Sequence, residues 1–262
     1  MQATMPQKRS TDNVALSPDF PQEEEFAIGN INPYSYYNWW YFPRAMQSLY
    51  SKFVRFENVA EAAREQWKGD YLFLCKQAML NSEMKRSKSL DGSRPISAVL
   101  VSKNPPNTGR IKLLLELFPN ARFIHVYRDP LTVFVSTKKF FWATHLPLRF
   151  HSITEDEMDQ NILAIYKRMF EEFDEEVKLI PKENLIEIKF EDLEQEPLSH
   201  LRMIYDKLRI PDFEKAEPRL RNYINEQSNY LKTKHSVSDK VREKVFRSWG
   251  HMIKRWGYDE VK

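Results

Sequence analysis

Apolar positions along the chain follow two patterns: short runs of β-branched and aromatic residues, and longer stretches repeating every three to four residues. The clearest short run is Phe123, Ile124, Val126 and Tyr127, bounded by Pro119-Asn120 before and Asp129-Pro130 after, and it predicts a strand. Asp129 suits an N-cap and Pro130 a first helical position, so a helix carrying Val133, Phe134 and Thr137 should follow directly. Residues 97–102 (SAVLVS) predict a second buried strand, and Leu185, Ile186 and Ile188 a third. Between them the longer period predicts helices from residue 58 to about 84, through Ile111, Leu113, Leu114 and Leu117 with Asn107 or Thr108 as cap, from the Thr154–Glu157 capping box to about 179, and from about 197 to 208. A last amphipathic helix runs from a Ser238 cap to a Gly257 stop, with Val241, Val245, Trp249, Ile253 and Trp256 on its apolar face. Strands alternating with helices of this length predict an α/β fold, a parallel sheet flanked by helices. Residues 1–18 are polar and aperiodic, and 19–262 read as one domain.

Composition narrows the function classes. The 262 residues are 42% hydrophobic and 13% aromatic, enough for a substantial core. With 40 basic and 37 acidic residues the net charge is +3, and no basic stripe appears, which argues against nucleic acid as a partner. The one cysteine, Cys75, excludes a disulfide framework and a cysteine-based metal site, and no metal is expected. No run of 18 apolar residues or leader-like stretch occurs, so a cytoplasmic protein without a transmembrane segment is expected. Neither GxxxxGK[ST] nor GxGxxG is present, which argues against a nucleotide kinase of the Walker type.

The candidate chemistry gathers at strand ends and one helix start. Arg128 and Lys103 each follow a predicted strand, placing two cations on one sheet edge, where open α/β sheets bind ligands. Asp19 and Gln22 have capping-box spacing, and Glu23, Glu24 and Glu25 fill the turns that follow. Glu24 shares a helical face with Ala27, Ile28 and Ile31, so partial burial would raise its pKa and suit it to accept a proton. Residues 32–56 are crowded with aromatics, which suits either an acceptor pocket or a cover over the sheet. A basic loop contains Lys232 and Lys234.

Taken in order, these motifs resemble the sulfotransferase family. The strand-turn-helix of residues 123–136, with Arg128 and Ser136 eight positions apart, is similar to that family's site for the 3'-phosphate of 3'-phosphoadenosine 5'-phosphosulfate. LIEIKFEDLEQEPLSHLRMIYDKLRI (185–210) resembles the strand, acidic turn and helix that follow. PQEEEFAI from Pro21 and LVSKNPPNTGRI from Leu100 resemble the acidic helix and lysine strand of a bacterial branch related to tyrosylprotein sulfotransferases. The likeness covers roughly residues 6–258 and implies a P-loop NTPase-like sulfotransferase fold that uses this phosphosulfate as cofactor.

By that resemblance Arg128 and Ser136 bind the 3'-phosphate, with Lys232 and Lys234 as late basic contacts, and Lys103 neutralises charge on the leaving oxygen. One of Glu23, Glu24 and Glu25 is the general base, and helical geometry favours Glu24. The acceptor is a small-molecule, lipid or tyrosine-type hydroxyl, or an amine. The family's opening strand and PxSGT-like loop find no counterpart before Pro21, so the resemblance implies an N-terminally truncated fold. The alternative function is a catalytically inactive sulfotransferase-like binding protein or gene fragment.

Overall fold

The computed structural model describes residues 17, 20, 22–87, 99–144, 148–227 and 237–258. Among them two strands pair in parallel, β1 (Phe123–Tyr127) and β2 (Leu185–Lys189), in the register Phe123↔Leu185 through Tyr127↔Lys189. Helices surround this ribbon: α1 (Glu24–Ile31), α2 (Met46–Phe53), α3 (Glu61–Ser87), α4 (Ile111–Leu117), α5 (Pro130–Thr144), α6 (Glu155–Glu176), α7 (Phe190–Gln195), α8 (Pro197–Lys207), α9 (Phe213–Gln227) and α10 (Asp239–Arg255). The result is a mostly helical α/β architecture with a small parallel sheet.

The two sheet faces differ. Phe123, His125 and Tyr127 turn toward the main core, where the His125 ring lies 4.2 Å from Phe173 and Tyr127 stacks on Trp256 at 5.2 Å. On the other face Ile186 and Ile188 are covered by Ile204 and Leu208 at the α8 end, while their partners Ile124 and Val126 stay 44% and 43% exposed. Among the described residues the cover reaches β2 but not β1.

Helix α6 forms the spine of the main core, because its apolar face packs on α5 and α10 through Phe134, Ile162, Phe170, Val245 and Trp249. Its other flank is ionic. Glu172 accepts from Tyr50 at 2.7 Å, and Glu176 pairs with Arg55 at 2.6 Å. Thr154 and Glu157 close the expected capping box at its start. A second cluster joins α1, α3 and α4 through Ile28, Trp67, Tyr71, Cys75 and Leu114.

Several expectations need correction. Residues 99–102 form no strand; Val99 and Val101 are 63% and 81% exposed, Leu100 leans on the second cluster, and no described strand offers the segment a ladder. Residues 97 and 98, Asp19, Pro21 and the polar lead-in up to residue 16 lie outside the described residues. Pro105–Gly109 winds as a 3-10 turn, so Arg110 rather than Asn107 or Thr108 precedes α4. Ser238 stands at the start of α10, yet its hydroxyl makes no capping bond. Helix α9, with Pro218 inside it, was not foreseen, because its sparse apolar positions give a weak period. No helix among the described residues is long and apolar enough to cross a membrane.

Candidate active site

Two groups of side chains stand out. The first is the turn from β1 into α5. Asp129 accepts from the Leu131 and Thr132 amides, both at 3.1 Å, and so caps the helix start as expected. Arg128, one residue earlier, pairs with no carboxylate among the described residues. Its guanidinium lies 4.4 Å over the Phe190 ring, and its buried Nε has no partner. Stacking on the ring fixes the plane of the guanidinium and leaves Nε unclaimed. Ser136 is half-buried nearly two turns into α5, and its hydroxyl donates to the Val133 carbonyl at 3.2 Å.

The acidic turn after β2 props this corner. Phe190 supplies the ring under Arg128. Glu191 accepts from the Asp129 amide at 3.3 Å and from the Tyr258 hydroxyl at 2.5 Å. Burial, then the bond to Glu191, pushes the Tyr258 phenol up, so it remains a donor. The parallel register of β1 and β2 brings the two turns together.

The second group is the start of α1, where three consecutive glutamates have three fates. Glu25 is fully buried. It pairs with Arg110 (Nη1 2.7 Å, Nη2 3.3 Å) and accepts from the Tyr36 amide at 2.6 Å, the Ser35 hydroxyl at 3.1 Å and Asn104 Nδ2 at 3.3 Å. Arg110, itself 1% exposed, also donates to the Phe53 carbonyl and lies 4.8 Å over Trp67. Glu24 is half-buried, and its Oε2 is sealed from solvent without a partner. Its charge, second to burial, raises the Cys75 thiol to about 11. Glu23 is half-buried, with a side chain 20% exposed, and is held by Lys103 on one oxygen and the Tyr37 hydroxyl on the other. Burial, followed by the bond to Glu23, raises the Tyr37 phenol, which therefore stays protonated and donates.

Lys103 reaches Glu23 because the next residues are clamped. Asn104 is tied to Glu25, and the 3-10 turn behind it presses Gly109 onto α2. A Cβ at Gly109 would meet Tyr50 Oη at 2.5 Å and Val54 Cγ1 at 2.9 Å. Only glycine permits that approach. The Lys103 side chain itself is 79% exposed.

The structure thus brings Glu23 and Lys103 together, and Arg128 and Ser136 onto one strand-turn-helix. Among the described residues no contact joins the first pair to the second. Lys232 and Lys234 lie outside the described residues. Sequence reasoning missed Tyr37, Arg110, Phe190 and Glu191 as individuals. Tyr37 was hidden in an aromatic run, and Arg110 meets Glu25 across 85 positions, a pairing that no local pattern signals.

The model of the sulfotransferase family matches residues 13–215. Two curated relatives are named omega-hydroxy-beta-dihydromenaquinone-9 sulfotransferase Stf3, from Mycobacterium bovis (strain ATCC BAA-935 / AF2122/97) and Mycobacterium tuberculosis (strain CDC 1551 / Oshkosh). Each is 32% identical over 254 residues, covering 96% of this chain and 61% of the relative. No solved structure matches.

Proposed function

The chain belongs to the sulfotransferase family, and on that premise we propose that it transfers a sulfuryl group from 3'-phosphoadenosine 5'-phosphosulfate to an acceptor hydroxyl. The observation that carries this reading is the meeting of a lysine ammonium and a tyrosine hydroxyl on the single carboxylate of Glu23. Arg128, with a buried Nε that has no partner, fits a phosphate, and Ser136 adds a hydroxyl on the helix that follows.

When bound, the donor supplies an activated sulfuryl group whose S–O bond to the phosphate breaks as the bond to the acceptor oxygen forms. Glu23 takes the acceptor's proton, which raises the nucleophilicity of the oxygen. Lys103 stands beside the same carboxylate and neutralises the charge that the broken bond leaves on the phosphate oxygen. Tyr37 holds Glu23 in place and keeps its own proton. Glu25 is structural in this reading, since both of its oxygens are committed to buried donors, and it fixes α1 against the Lys103 loop. The relatives are named for a hydroxylated menaquinone, and a lipid-like alcohol is the acceptor class proposed here.

The test is direct. The purified chain should move labelled sulfate from the donor to a lipid alcohol; no transfer to any acceptor would favour an inactive binding protein. Calorimetry with adenosine 3',5'-bisphosphate should show Arg128→Ala weaker by about 1.5–3 kcal/mol, the worth of a charge-assisted contact. Equal affinities would remove Arg128 from the donor site.

A further inference from the structure

We propose that Phe26, Tyr37 and Trp40 form the wall of an acceptor subsite that takes a primary alcohol on an extended apolar body. The idea rests on the sulfuryl-transfer reading and adds where the rest of the acceptor lies. Phe26 follows Glu23 by three positions, and its amide donates to the Glu23 carbonyl at 3.1 Å, so the ring rises beside the proposed base. Tyr37 and Trp40 are three apart in the 3-10 turn Tyr36–Trp40, whose three-residue period eclipses them. Their rings stack at 5.2 Å with an interplanar angle of 23°. Phe26 meets both edge-on, at 4.9 Å and 5.3 Å.

This ring cluster starts at the reacting carboxylate, because the Tyr37 hydroxyl is bound to Glu23. It continues toward the other half of the site. Trp40 lies 6.3 Å from the ring of Phe140, which is four positions beyond Ser136 and on the same face of α5. The ring contacts therefore run from Glu23 to the helix that carries Ser136, between two groups that share no direct contact among the described residues. Phe26 remains 37% exposed next to an ion pair, with Tyr37 and Trp40 half-buried behind it. A solitary exposed ring needs no explanation, but one built into a cluster at a catalytic carboxylate does.

The chemistry selects the ligand class. Phe26 offers no polar atom, the Tyr37 hydroxyl is committed to Glu23, and the Trp40 indole Nε1 is sealed from solvent. A polyol such as a sugar would lose water along this wall without replacing its hydrogen bonds, whereas a hydrocarbon or polyprenyl chain loses nothing and gains the ring faces. The hydroxyl end of such an acceptor is then held at Glu23 and Lys103 while its body lies across the rings.

Bromododecanol, whose bromine quenches indole fluorescence on contact, tests this on the full chain. Quenching should saturate in the wild type, fall several-fold in Trp40→Phe, and be competed by farnesol but not by sorbitol. Phe26→Ala should weaken the probe about tenfold, and Phe26→Leu by much less. Glu23→Gln should keep the quenching and lose transfer, which separates the wall from the chemistry. If transfer is never observed but this pattern holds, the wall stands and the sulfuryl reading falls. Unchanged quenching in Trp40→Phe, wild-type affinity in Phe26→Ala, or competition by sorbitol would each overturn the proposal.

Discussion

Glu25 with Arg110 and Glu23 with Lys103 are ion pairs that begin two residues apart on one helix and end in opposite environments. The first is sealed, with both side chains at zero exposure and every Glu25 oxygen supplied with donors. The second has a lysine 79% exposed and a carboxylate shared with a tyrosine. A buried charge must be fully paired to be tolerated, and once paired it has no capacity left for a substrate. A half-buried carboxylate whose cation stands in water, as Glu23 does at 20% side-chain exposure, costs less to keep and can exchange partners. On the proposed reading the inner pair is structural and the outer pair carries the chemistry.

The largest expected effect breaks the inner pair. Arg110→Ala leaves Glu25 buried without its cation, and urea denaturation should show a loss of about 3–5 kcal/mol. A loss below about 1 kcal/mol would mean that water reaches Glu25 and that the contrast between the pairs is false.

Next comes Glu23→Gln. Removing a general base typically costs about 10²–10⁴ in rate, so single-turnover transfer should slow by that order while the melting temperature stays put. Glu24→Gln is the control: if it slows transfer and Glu23→Gln does not, the base is the glutamate that helical periodicity favoured.

A smaller effect measures the outer pair's contribution to stability. Lys103→Ala should change unfolding free energy by less than about 1 kcal/mol, as exposed ion pairs do, although transfer falls. A larger destabilisation would move Lys103 from chemistry to architecture.

Local pattern carried much of this and failed in predictable places. The Phe123–Tyr127 strand, the Asp129 cap and the Thr154–Glu157 capping box were legible because each depends on residues within one turn. Residues 99–102 misled because an apolar run reads as a buried strand only if another strand and a cover meet it, and among the described residues Val101 has neither. The order of the three glutamates was illegible for a similar reason. Periodicity placed Glu24 on the inner face, yet Glu25 is the one that Arg110, Asn104 and Ser35 draw fully inside. Those partners lie 10 to 85 positions away, beyond any local rule.

The smallest effect concerns the third glutamate, which stands between the two pairs. Burial first, and the Glu24 charge second, raise the Cys75 thiol from 9.0 to about 11. The folded state thus favours the neutral thiol. Its contribution to stability is complete below pH 9, where the unfolded chain also keeps the proton, and is lost as pH rises from 9 toward 11. Stability should therefore fall more steeply between pH 9 and 10 in the wild type than in Cys75→Ala, since the tyrosines titrate alike in both. Glu24→Gln removes only the secondary cause, so the thiolate absorbance of native Cys75 should appear at slightly lower pH than in the wild type. An unchanged titration would show that the Glu24 charge is not felt at Cys75. Glu24 would then belong with Glu23 on the solvent side, and the boundary between structural and reactive carboxylates would fall between Glu24 and Glu25.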